Sequence, residues 1–107
     1  MNTSTKINQL VHQIKTDFDN DCYGRPTDII GFSKIGKNLA LALQSIIDPK
    51  EICFYDFDVK RDSTFHYLDF EKMLAKSEIM IITEPKYLKL FNSNISLNKN
   101  TKIYSLY

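Results

Sequence analysis

Ile29-Ile30-Gly31-Phe32-Ser33-Lys34-Ile35-Gly36-Lys37-Asn38 is the stretch on which the fold turns. Just ahead of the glycine, Asp28-Ile29-Ile30-Gly31-Phe32 is a short, mostly apolar run that reads as a strand. Behind it, Ile35, Leu39, Ala42, Leu43 and Ile46 recur at helical spacing and predict a helix from about residue 35 to 47. Asp48-Pro49 stops that helix, because proline cannot continue the hydrogen-bond ladder. Two glycines therefore sit where a strand turns into a helix. At such a turn a first glycine allows the tight reversal, a second lets the backbone approach a pyrophosphate, and a third permits close helix–strand packing. Gly31 and Gly36 fill the first and third roles. Ser33 stands in the second, where a side chain intrudes and a positive φ would be strained. A phosphate held here would rest on the helix N-terminus.

Further along, Ile52-Cys53-Phe54-Tyr55 reads as a second strand, apolar throughout, with Cys53 as a buried thiol. Asp56 closes it about 20 residues beyond Gly36, the offset of an acid that hydrogen-bonds an adenosine ribose. Asp69 is the expected N-cap of a helix running to about Lys76, with Phe70, Met73 and Leu74 inward. Ile79-Met80-Ile81-Ile82 has the unbroken apolar character of a strand covered on both faces. Pro85 suits the first turn of another helix carrying Leu88 and Phe91 inward, and Lys102-Ile103-Tyr104-Ser105-Leu106 reads as a fourth strand. Upstream, Ile7, Leu10, Val11, Ile14 and Phe18 make residues 4–18 an amphipathic helix, followed by a polar loop from Asp19 to Pro26. Short strands alternating with helices imply right-handed crossovers. The expectation is one α/β domain over residues 1–107. It is a small Rossmann-like half domain of three layers, with a parallel sheet of about four strands and helices on both faces.

At 107 residues the chain has the size of one domain, and its 43% hydrophobic and 25% charged fractions are those of a soluble globular protein. A formal net charge of +1 argues against direct nucleic-acid binding and against an anionic membrane as partner. Two cysteines make no disulfide framework, the start Met-Asn-Thr-Ser-Thr-Lys lacks a signal-peptide apolar region, and Ile79–Ile82 is too short to span a bilayer. A reducing cytoplasm is the expected location.

From about Ile7 onward the chain resembles the nucleotide-binding domain of the D-isomer-specific 2-hydroxyacid dehydrogenases. Three stretches carry the likeness: Ile-Ile-Gly-Phe-Ser-Lys-Ile-Gly-Lys from Ile29, Tyr-Asp-Phe-Asp from Tyr55, and Leu-Asp-Phe-Glu-Lys-Met-Leu-Ala-Lys-Ser-Glu-Ile-Met-Ile-Ile from Leu68. The resemblance implies NAD as cofactor, with Gly31, Ser33, Lys34, Ile35 and Gly36 lining the pyrophosphate and Asp56 the ribose. It also implies a catalytic arginine, glutamate and histidine in segments beyond Tyr107, together with a second mononucleotide half and a substrate domain. The expectation is therefore a truncated relative that is not an enzyme.

Other constellations point elsewhere. Asp17-Phe18-Asp19-Asn20-Asp21 has some of the carboxylates of a calcium loop, but Cys22 replaces the glycine at its sixth position and no glutamate stands at the twelfth. No metal site is expected. His12 and His66 have no nucleophile or second ligand nearby in sequence and read as packing or surface residues. Aromatic residues interleave with acids in Tyr55, Asp56, Phe57, Asp58, Asp62, His66 and Tyr67, on the loop after the second strand. These are either core edge and solvated loop, or a surface for a protein partner with a basic face. Two readings stand. One is a non-catalytic protein-binding module, such as an immunity protein or inhibitor that neutralises a toxin or enzyme. The other is a module that binds NAD or another adenine nucleotide. The sequence leaves a homodimer open under both.

Overall fold

Thr27–Ile30 form strand β1, and all four residues are buried, as an apolar strand at the centre of a sheet must be. The structure is a computed structural model and describes residues 2–56, 66–67, 70–91 and 100–107. Around β1 the chain places helix α1 (Thr3–Asp17), helix α2 (Lys34–Leu43), strand β2 (Ile52–Tyr55), a short strand β3 (His66–Tyr67), helix α3 (Phe70–Lys76), strand β4 (Ile79–Ile82), a 3₁₀ segment (Pro85–Phe91) and strand β5 (Lys102–Ser105). All strand pairs are parallel, in the order β3-β2-β1-β4-β5. Four strands of four residues thus make a parallel Rossmann-like sheet, with the two-residue β3 added at one edge.

The register sorts the side chains onto two faces. Ile29 aligns with Phe54 and Ile81, and these pack with Ile7, Leu10 and Ile14 of α1 and Leu39 and Leu43 of α2 in one core. On the other face Asp28 aligns with Cys53 and Met80, and Ile30 with Tyr55 and Ile82, under Leu74 of α3 and Tyr87 of the 3₁₀ segment. Each fully buried Leu or Ile contributes roughly 1.5–3 kcal/mol, which makes the α1–α2 side the thicker anchor. Asn2 caps α1 by accepting from the Thr5 backbone N–H at 2.8 Å. The chain leaves α1 through Asp19 and Asn20, both at positive φ, which short polar side chains tolerate best.

Several elements differ from expectation for identifiable reasons. β1 ends at Ile30 rather than Phe32, because Gly31 turns the chain at φ +117°. α2 ends at Leu43 rather than near residue 47: the Ser45 hydroxyl donates to the Ala42 carbonyl, and both Ile46 and Ile47 N–H groups reach back to Leu43. Ile47 stays fully buried all the same. The Pro85 segment is a 3₁₀ helix whose threefold repeat puts Leu88 in line with exposed Pro85, so Leu88 is 40% exposed and Tyr87 turns inward. Cys53 is half-buried rather than buried. Leu74 is buried as expected, whereas Asp69 and the side chains of Phe70, Met73 and Phe91 lie outside the described residues. β2 and β4 flank β1 on opposite sides, so a crevice where the strand order reverses lies beside β1.

Candidate functional site

That crevice opens at the carboxyl ends of β1 and β4, above Gly31. Gly31 could carry no other residue: its φ is positive, and a Cβ there would collide with Thr83 Oγ1 and the Tyr87 ring. Gly36 is equally constrained, since its Cβ would run into the Gly31 carbonyl. Both glycines thus have the turn and packing roles read from the sequence. Ser33 does not take the positive φ that would strain it. Its φ is −117°, and it caps α2, its Oγ accepting from the Gly36 N–H at 3.3 Å.

Two of the turn's backbone N–H groups are engaged from within the chain. Gly31 N–H donates to the Tyr55 carbonyl at 2.8 Å, and Phe32 N–H donates to Asp56 Oδ2 at 2.8 Å. The Tyr87 hydroxyl reaches the same Oδ2 at 2.7 Å, from the far side of β1. Thr83, just past β4, clips the crevice by donating its hydroxyl to the Ile30 carbonyl at 2.7 Å. Tyr87 is 1% exposed, and its ring lies against the glycine turn where a pyrophosphate would pass. The acid expected to hold a ribose therefore holds a backbone amide and a tyrosine. Lys34 is exposed and Ile35 half-buried at the first turn of α2, and Lys37 lies over the Phe32 ring at 4.5 Å.

Of the residues read as a partner surface, Tyr55 and Asp56 are half-buried at the end of β2. His66 and Tyr67 form β3 against Cys53 and Phe54, in a parallel ladder rather than in a loop. Phe57, Asp58 and Asp62 lie outside the described residues. The acidic run at the end of α1 stays on the surface: Asp17 accepts from the Tyr104 hydroxyl at 2.8 Å, and exposed Asp21 pairs with Arg25 at 3.4 Å. Among the described residues no group of three His, Cys, Asp or Glu could hold a metal ion, and His12 is exposed.

Two features were missed in sequence. Thr83 and Tyr87 follow β4 in an unremarkable polar stretch, and only the sheet order brings them over Gly31. Asp28 was visible as a carboxylate inside an apolar strand. It is 1% exposed, its Oδ2 has no hydrogen-bond partner among the described residues, and burial raises its pKa to about 7 against an opposing Ser77 hydrogen bond. Beside it, burial first and the Asp28 charge second push the Cys53 thiol up to about 11, so this cysteine is no activated nucleophile. No model of a known protein family matches the chain, and no curated protein matches it. Among the described residues no helix is long and apolar enough to cross a membrane.

Proposed function

We propose that this chain is a non-catalytic Rossmann-like module that works in the cytoplasm by binding another protein, in the concrete form of an immunity protein or inhibitor that neutralises a toxin or enzyme. One observation carries the reading: the crevice in which such a sheet would bind a small ligand is filled by Tyr87, whose hydroxyl bonds Asp56. A nucleotide would have to displace a buried ring and replace the hydrogen bonds at Asp56 Oδ2 before making any contact of its own. What the scaffold then offers is its surface. The acidic and aromatic segment after β2, from Tyr55 through Asp58 and Asp62 to Tyr67, suits a partner with a basic face.

A second reading keeps support from the stations that persist: Gly31 at positive φ, Gly36 packed on the Gly31 carbonyl, and Asp56 at the end of β2. It describes a relative of the 2-hydroxyacid dehydrogenases that takes NAD once Tyr87 swings out. Thermal melts with NAD, NADH, NADP, ATP and AMP at millimolar concentration separate the two. A ligand at 100 times its dissociation constant adds about 2.7 kcal/mol, which raises the midpoint of a domain this size by roughly 10 °C or more. No shift is expected with any nucleotide. A shift with NAD that disappears in Asp56→Ala would overturn the protein-binding reading. Its positive test is co-expression with a toxin or enzyme encoded beside it: a stable complex that restores growth is the expected result.

A further inference from the structure

The face of the sheet turned away from α1 holds a carboxyl that the crevice does not use. Asp28 stands in the middle strand, 1% exposed, aligned with Cys53 of β2 and Met80 of β4. Helix α3 crosses above it, because the chain leaves β3 on one side of β1 and enters β4 on the other. Ser77, which joins α3 to β4, is fully buried and hydrogen-bonds Asp28. Its hydroxyl has one proton to give, and it donates to the Ile79 carbonyl at 3.1 Å. While Asp28 is neutral both bonds are kept, since the carboxyl O–H donates to Ser77 Oγ and Ser77 donates to Ile79. An ionised Asp28 has no proton to offer. It must draw the Ser77 proton away from Ile79, and its Oδ2 still has no donor among the described residues.

No charge compensates an ionised Asp28. β2 brings the Cys53 thiol, kept neutral by burial, with Glu51 just ahead of the strand. Glu78, just ahead of β4, is held by Arg25 at 2.7 Å, and Lys72 and Lys76 of α3 are exposed. The Glu71 side chain lies outside the described residues. We infer that Asp28 and Ser77 form a proton-controlled latch on α3: the neutral carboxyl holds the helix to the sheet, and ionisation lets it lift at the Ser77 joint and admit water. α3 is the element able to give way. It has seven residues, too few to persist as a helix without its packing, whereas β1 is paired on both sides. A hydrated Asp28 loses its proton near 3.8, the buried one at about 7. Between those values each unit of pH multiplies the open fraction about tenfold, and above the upper one the gain stops because both forms are ionised. The latch is tight in acid and loosest from neutral pH upward. Opening uncovers the Cys53 and Met80 face of the sheet.

Amide exchange of the full chain between about pH 5 and 8.5, each rate divided by its intrinsic value, tests the latch. Protection in α3 is expected to fall about tenfold per unit up to about pH 7 and then to level, while staying below that of β1 throughout. Asp28→Asn should hold α3 protection flat over the range. If that variant misfolds, Ser77→Ala removes the one donor to the ionised carboxyl, and the levelling point should move to higher pH. The latch is overturned by α3 protection that ignores pH in the wild type, or by α3 amides that exchange only together with those of β1. A slope that survives in folded Asp28→Asn, or a levelling point that Ser77→Ala leaves in place, overturns it equally. None of these readings depends on how the nucleotide melts come out.

Discussion

Gly36 has no room for a side chain, because the Gly31 carbonyl oxygen occupies the space a Cβ would need, and the absence of that Cβ lets α2 sit close to β1. Gly36→Ala should therefore cost about 1–3 kcal/mol by overpacking, read as a lower urea midpoint with an unchanged slope. Tyr87→Phe tests the crevice more gently. Losing a buried hydroxyl–carboxylate bond should cost about 1–3 kcal/mol, whereas Tyr23→Phe at an exposed position should be close to neutral. Asp28 predicts a pH dependence with a definite sign. The folded chain keeps its proton up to about pH 7, whereas an ordinary aspartate releases it near 3.8. Between those values the folded state binds the extra proton. This contribution to stability is thus full at the acid end and is lost as pH rises through the folded value, by up to about 1.4 kcal/mol per unit. Asp28→Asn should flatten the urea midpoint against pH over that window. A variant as pH-dependent as the wild type would assign the effect to other groups.

At the scale of elements, α1 is fastened to the sheet by more than its apolar stripe. The Tyr104 hydroxyl holds Asp17, and Arg25 donates to Glu78 at 2.7 Å and to the Asp21 carbonyl at 2.5 Å while lying over Phe18. Burial, then the Asp17 bond, raise the Tyr104 pKa, so the hydroxyl remains a donor at physiological pH. Tyr104→Phe should lower stability by about 1–2 kcal/mol and speed amide exchange in α1 before it does so in β1. The elements built on a strong period were legible in sequence: α1, α2 and the strands at Ile52 and Ile79 fall where the pattern puts them. The exceptions have local causes. Ser45 diverts the end of α2, the 3₁₀ repeat turns Leu88 outward, and β3 is too short to carry a pattern. The site was half legible. Gly31, Gly36 and Asp56 announce a nucleotide turn by spacing, but the residue that closes it lies 31 positions beyond Asp56 and no local pattern marks it.

Across the whole molecule, stability should be graded from the middle of the sheet outward. β1 and β4 are buried along their full length and hydrogen-bonded on both sides, so their amides should exchange most slowly, and those of β5 faster. Uniform exchange across all five strands would argue for a single unit that opens together. The same sheet order joins parts of the chain that are far apart in time as well as in sequence. Asp17 meets Tyr104 across 87 residues. A ribosome adding about 5–20 residues per second therefore leaves the apolar stripe of α1 without the β5 part of its cover for roughly 4–17 s. During that interval Ile7, Leu10 and Ile14 form a greasy helix on a nascent chain, a natural target for the chaperones that wait at the exit tunnel.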